Sequence, residues 1–134
     1  MSERQRILVV DDQQEILELT ETVLAGGGYS ISTASSGDEA LGRLSREPFD
    51  LVLLDINMPD MDGWETLRLL RADEQLADLA VVMFSVKGDV SDKVHSLQEG
   101  ASGYITKPFV VDELVARVKR VLEAKQRPGA DSDA

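Results

Sequence analysis

The chain of 134 residues sets 14 Lys and Arg against 25 Asp and Glu, a formal net charge of −11 at pH 7, with 43% hydrophobic and 29% charged residues. That length suits one domain of roughly 100–150 residues with a real core, and an acidic balance of this size disfavours direct contact with nucleic acid or an anionic membrane. Having no cysteine and a single histidine, His95, the chain is excluded from disulfide scaffolds, thiolate nucleophiles and Cys-ligated metals, and multi-His metal sites are disfavoured.

Met1 to Arg6 lead into a short apolar run that stops at two acids. This is too short for a signal-peptide core, and no run approaches the ~20 apolar residues of a membrane span, so a cytoplasmic protein is expected. Ile7-Leu8-Val9-Val10 is continuously apolar and ends at Asp11-Asp12. Such runs suit strands buried on both faces, as in a parallel sheet. Ile16, Thr20, Val23 and Leu24 share one helical face, and Gly26-Gly27-Gly28 stops that helix. Asp12 with Glu15 also reads as a capping pair for it. Tyr29 to Thr33 form a shorter, more polar strand of the edge type. Ala40, Leu41 and Leu44 mark a second helix that ends before Pro48, and Leu51-Val52-Leu53-Leu54 mark a buried strand that ends at Asp55. A third helix follows Gly63 with Trp64, Leu67, Leu70 and Arg71 on one side. Leu79 to Phe84 form another buried strand, ending at Ser85, and Val90, Val94 and Leu97 mark a fourth helix before Gly100. Gly103-Tyr104-Ile105-Thr106 read as a second edge strand leading to Lys107-Pro108. Val111, Leu114, Val115, Val118, Val121 and Leu122 form the clearest stripe. The alternation implies right-handed βαβ crossovers and an α/β fold with a helix-covered parallel sheet. The domain is expected over residues 1–124. A disordered tail is expected over 125–134, with Pro128-Gly129 serving as an end or the start of a linker.

In such sheets ligands bind beyond the carboxyl ends of the strands. Those ends deliver Asp11, Asp12, Asp55, Ser85 and Lys107 to one rim. Each has an ordinary reading alone: a helix cap, a strand-end turn, a loop hydroxyl, a solvated charge. His95 reads as a surface residue and Tyr104 as a half-buried sheet aromatic. Together at four strand ends the polar groups point to a site. Crowded carboxylates take protons or a cation, and an all-oxygen set favours a hard ion such as Mg²⁺. An Asp beside such an ion is a reasonable nucleophile toward a phosphoryl group, with an ammonium and a hydroxyl to stabilise the transferring charge.

The stretches Ile7 to Asp12, Asp55-Ile56-Asn57-Met58-Pro59-Asp60-Met61-Asp62-Gly63, Phe84-Ser85, Gly100-Ala101 and Tyr104 to Phe109 resemble the receiver domain of two-component response regulators, over essentially Ile7 to Leu122. The resemblance implies a flavodoxin-like (βα)5 doubly wound sheet with strand order 2-1-3-4-5. It implies that Asp55 accepts the phosphoryl group, that Asp12 ligates Mg²⁺ directly and Asp11 through water, and that Asn57 offers its backbone carbonyl to the ion. Lys107 would pair with phosphoryl oxygens, Ser85 would donate its hydroxyl, and Tyr104 would swing in behind Ser85. The Lys-Pro peptide is expected to be cis. The implied donor is a histidine kinase or a histidine phosphotransfer protein. A downstream protein would dock on the fourth helix, fifth strand and fifth helix, about residues 90–123, and phosphorylation-dependent homodimerisation is open. The domain is expected to act as a stand-alone receiver that catalyses its own phosphorylation and dephosphorylation without substrate turnover.

Lys87 and Asn57 stand where the family tunes phosphoryl lifetime, Val86 stands where the family usually has Ala or Gly and would narrow access to Asp55, and Ser102-Gly103 replace commoner acids, which reads as a more flexible approach to the last strand. Other readings are a degenerate receiver that binds proteins without phosphate and an Asp-nucleophile phosphatase of the haloacid dehalogenase type. The second would need an Asp where Asn57 stands. A dinucleotide-binding module is disfavoured because Asp11-Asp12-Gln13-Gln14 replace a glycine-rich turn.

Overall fold

The computed structural model describes residues 4–86, 98 and 100–126, with Ser85, Val86 and Gln126 described by backbone alone. Strands β1 (Arg6–Val10), β2 (Ser30–Ala34), β3 (Leu51–Asp55), β4 (Ala80–Val86) and β5 (Gly103–Lys107) alternate with helices α1 (Gln14–Gly26), α2 (Gly37–Arg46), α3 (Gly63–Ala72) and α4 (Val111–Gln126). All neighbouring strands are parallel, in the order β2-β1-β3-β4-β5. The doubly wound order and the two edge strands match the sequence expectation. The fourth of the expected helices, with Val90, Val94 and Leu97, lies outside the described residues, as do Lys87 and His95.

The continuous apolar runs are explained by burial on both faces of the sheet. Ile7, Val9, Leu51, Leu53, Val82, Phe84 and Ile105 point to one face, against Leu17 and Leu24 of α1 and Leu114, Val118 and Leu122 of α4. Leu8, Val10, Val52, Leu54, Val81 and Met83 point to the other, against Ala40 and Leu44 of α2 and Leu67 and Leu70 of α3. A one-residue slip in any strand would exchange these sets, so the pattern fixes the register.

Helix ends depart from expectation in two places. The N-cap position of α1 is Gln13, which makes no side-chain cap bond. Asp12 therefore does not cap the helix; instead the Asp11 carboxylate accepts the Gln13 N–H at 2.9 Å. The last helix continues through Lys125 and Gln126, two residues past the expected end of the domain at 124. The Lys125 ammonium donates to the Asp78 carbonyl there, and a cation in the last turn suits the helix dipole. The other two caps follow ordinary chemistry. Ser36 accepts from the Glu39 N–H at 3.1 Å while Glu39 accepts from the Ser35 N–H at 2.9 Å, and Asp62 accepts from the Glu65 N–H at 2.9 Å.

Two anchors stiffen the approach to β5. Ser102 exchanges hydrogen bonds with Val81, accepting its N–H on Oγ at 3.1 Å and donating its own N–H to the Val81 carbonyl at 2.7 Å. Arg71 donates to the carbonyls of Leu79 and Gly100, at 2.7 and 2.9 Å. Burial pulls the Arg71 guanidinium below its ordinary pKa, with Asp78 opposing. The segment expected to be flexible is thus tied to β4 and α3. Gly103 fits there because a side chain would press on Val82 and Val121, both 3.4 Å from a Cβ at this position.

The β3–α3 turn is a point of close backbone approach. A Cβ on Gly63 would lie 2.3 Å from the Asp55 carbonyl oxygen and 2.7 Å from the Ile56 Cα. Only a residue without a side chain lets α3 start directly against the end of β3. Gly63→Ala is expected to lower stability by about 1–3 kcal/mol, the ordinary cost of overpacking. Urea denaturation checks this, and an unchanged midpoint would show that the turn yields freely.

Candidate functional site

The strand ends gather the acids that the sequence analysis singled out. Asp11 follows β1 and is fully buried, Asp55 closes β3 and is 3% exposed, and Asp12 is exposed. One carboxylate oxygen from each lies within 4.8 Å of the other two. β1 and β3 are hydrogen-bonded neighbours at the centre of the sheet, so the cluster is set by strand pairing rather than by a mobile loop.

Lys107, at the end of β5, reaches across to both buried acids. Its Nζ lies 2.5 Å from Asp11 Oδ2 and 3.3 Å from Asp55 Oδ1. The sequence reading placed Lys107 and Asp55 in one site but did not foresee Asp11 as the lysine's nearer partner. Lys107-Pro108 is joined by a cis peptide bond, as expected. Asp55 Oδ1 also accepts the Asn57 N–H at 3.2 Å, and the Asn57 side chain is exposed. Ser85 stands in β4 opposite Thr106; its side chain is outside the description. Tyr104 is half-buried and packs on the core layer that contains Met83.

One ammonium does not balance this many carboxylates. Burial and the neighbouring Asp11 charge push the Asp55 carboxyl up to about 6, against the pull of Lys107 and the Asn57 N–H. The donor set is all oxygen, crowded and under-neutralised. That is the chemistry of a hard divalent cation site, since one or two carboxylates with water and carbonyl oxygens satisfy Mg²⁺. The residues present therefore fit such an ion.

Aromatic side chains that the sequence analysis left without a role lie beneath the lysine. Phe84 is fully buried, and Phe109 stacks on it with ring centroids 5.8 Å apart and 14° between planes. The Lys107 ammonium stands 5.6 Å from the Phe84 centroid. The signal available in the sequence was the placement of one Phe directly before Ser85 and the other directly after Pro108.

Comparison with known proteins identifies the family and the fold. The family model for the response regulator receiver domain matches residues 7–119. The transcriptional regulatory protein PrrA of Mycobacterium tuberculosis is 42% identical over 120 residues, covering 90% of this chain and 51% of its own length. The chain spans about half the length of the curated relatives it matches. Among solved structures, the chemotaxis response regulator CheY4 of Vibrio cholerae superposes with a TM-score of 0.84 at 30% identity, covering 89% of this chain and 99% of that one. The CheY-like receiver domain protein of Methanospirillum hungatei gives 0.84 at 30% identity, covering 98% and 100%.

The raised Asp55 value has a signed consequence. A carboxyl that holds its proton more tightly when folded favours folding only while protonated. Its contribution is full below the ordinary value of 3.8, declines as pH rises toward about 6, and is gone above that. Asp55→Asn keeps the neutral form at every pH. Without divalent cations it is expected to exceed wild type in stability at pH 7.5 by up to about 3 kcal/mol, with the gap closing below pH ~4. Urea midpoints across pH check this; equal midpoints at pH 7.5 would show that Asp55 bears no net repulsion.

Proposed function

From the premise that the chain belongs to the response regulator receiver domain family, the phosphorylation-controlled domain of two-component systems, we propose that Asp55 is its phosphoacceptor. The observation that carries this is the position of the Asp55 carboxylate. It is buried at the end of a central strand, 3.3 Å from the Lys107 ammonium and beside the Asp11 and Asp12 carboxylates. Asp11, Asp12, Asp55 and the Asn57 backbone carbonyl would hold Mg²⁺. When bound, that ion supplies positive charge for the oxygens of the transferring group.

One Asp55 oxygen attacks phosphorus as the bond from phosphorus to the donor leaving group breaks, and an acyl phosphate forms. Lys107 donates to the phosphoryl oxygens, where charge accumulates. The Ser85 hydroxyl donates to the product, and Tyr104 moves into the space behind it. Water later attacks the same phosphorus, releasing inorganic phosphate and restoring the carboxylate. The donor is a phosphohistidine on a histidine kinase or a histidine phosphotransfer protein. The output is altered binding of a downstream protein, or of a second copy of this chain, with residues about 90–123 as the expected docking region. Phosphate biases two pre-existing states of the domain. Among the described residues no helix is long and apolar enough to cross a membrane, and the net charge of −11 supports a reading without direct nucleic-acid or lipid contact.

The test is phosphorylation by acetyl phosphate, followed by intact mass. Wild type with Mg²⁺ is expected to gain one phosphoryl adduct, and EDTA or Asp55→Ala is expected to abolish it. Lys107→Met is expected to slow its formation by at least about tenfold. An adduct of equal yield on Asp55→Ala would place the acceptor elsewhere. No adduct on wild type from acetyl phosphate or from a panel of histidine kinases would leave the phosphate-independent binding module as the reading.

A further inference from the structure

Phe84 and Phe109 take no part in the chemistry proposed above, yet both meet the strand end that carries its lysine. Phe84 is fully buried, stands opposite Asp55 on one side and Ile105 on the other, and its carbonyl accepts the Ile56 N–H at 3.0 Å. Its ring position is thus fixed by the same pairing that fixes Asp55. The ring then makes two contacts with one short segment of chain: the Lys107 ammonium at 5.6 Å and the stacked ring of Phe109 at 5.8 Å.

A lysine side chain has a long flexible stem and a strongly hydrated head, and its free choice is solvent. Lys107 nevertheless keeps 84% of its side chain covered, since only 16% is exposed. Its charge is attracted by the face of a ring held within the usual reach of about 6 Å. The backbone that carries it is pinned two residues further on, where the half-buried Phe109 ring rests on Phe84.

We infer that Phe109 is a positioning residue for phosphoryl transfer: stacked on Phe84, it holds the segment after β5 so that the Lys107 ammonium stays within reach of Asp55 and Asp11. This rests on the receiver reading above. The bland alternative is that Phe109 only fills the core face that contains Leu114 and Ile105. Packing alone would change stability without any particular coupling to the lysine.

A double-mutant cycle separates the two, read as the rate of Mg²⁺-dependent adduct formation from acetyl phosphate. Phe109→Leu keeps apolar bulk and removes the ring. In the wild-type background it is expected to slow phosphorylation roughly five- to tenfold, as small misplacement of a charge-stabilising group does. In the Lys107→Met background it is expected to change the rate by less than about twofold, because the group it positions is gone. Phe109→Tyr retains the ring and is expected to stay within about twofold of wild type. Calorimetric titration with Mg²⁺ alone is expected to give Phe109→Leu an affinity no weaker than wild type by more than about threefold, since the carboxylates lie at the ends of β1 and β3 and not on the segment after β5. If Phe109→Leu does not fold, Phe109→Met serves as the ringless variant.

Equal slowing in both backgrounds, slowing below twofold in wild type, or loss of Mg²⁺ affinity would each overturn the inference and leave the receiver reading intact. A Lys107→Met variant as fast as wild type overturns it by removing the lysine from the chemistry. A wild type that takes no adduct from acetyl phosphate or from a panel of histidine kinases overturns both readings together.

Discussion

The contact between the Lys107 ammonium and the two buried acids is the constraint on which the rest of the rim depends. Asp11 and Asp55 are almost wholly withdrawn from water, and an unpaired buried carboxylate costs several kcal/mol after relaxation. Lys107, at 2.5 Å from one and 3.3 Å from the other, compensates a single charge. A residue of negative charge persists, and it is visible in the Asp55 carboxyl being pushed up to about 6. A fold selected for stability alone would gain by replacing one of these acids with an apolar side chain. Retaining them leaves a crowded all-oxygen cluster; on the proposed function a divalent cation would relieve it, and the phosphoryl group would add its charge beside that cation.

The scaffold supplies rigidity by making the acids the natural end points of apolar strands. β1 and β3 are buried on both faces along their length, so the first polar residue after each marks where the chain leaves the core. Pairing of β1 with β3 then sets the two strand ends side by side without help from a loop. Gly63 brings the start of α3 against the Asp55 backbone, which limits how far the β3–α3 turn can move. Arg71 and Ser102 fasten the approach to β5, by bonds to Gly100 and Leu79 and to Val81. Each of the strands that delivers a charged group is therefore tied down within a few residues of it.

Much of this was legible in the sequence because burial writes a one-dimensional signal. A run such as Leu51-Val52-Leu53-Leu54 announces a strand covered on both faces, and the acid that follows announces where it emerges. The edge strands were legible from their polarity, and the strand order followed from the family resemblance and not from the pattern itself. What was not legible involves partners distant in the chain. Asp12 and Glu15 matched a capping pair, but the helix takes Gln13 as its N-cap and the Gln13 N–H is bonded by Asp11, and local spacing does not reveal where the helix begins. Arg71 looked like one more position on a helical face, although it donates to carbonyls beyond the helix. Ser102-Gly103 looked permissive, although the serine replaces lost backbone pairing and the glycine is filled by its neighbours. The Phe84–Phe109 stack needs two strand ends in place before either residue has a meaning. The last helix runs past its apolar stripe to Gln126, where Lys125 meets the Asp78 carbonyl, a partner distant in the chain.

The overall charge sharpens the argument about how an anionic donor is accepted. A phosphorylated donor approaching a protein of net charge −11 meets repulsion, but at physiological ionic strength that field fades over a Debye length of about 8 Å. Within that range the only described cation inside the cluster is Lys107, which is already engaged by two carboxylates. On the proposed function, a divalent cation held by Asp11, Asp12, Asp55 and the Asn57 carbonyl would supply the local positive charge that Lys107, shared between two carboxylates, does not provide alone. The Phe84 ring under the lysine bears on the same balance: its contact with the ammonium at 5.6 Å favours a charged group at the site whichever carboxylate that group pairs with.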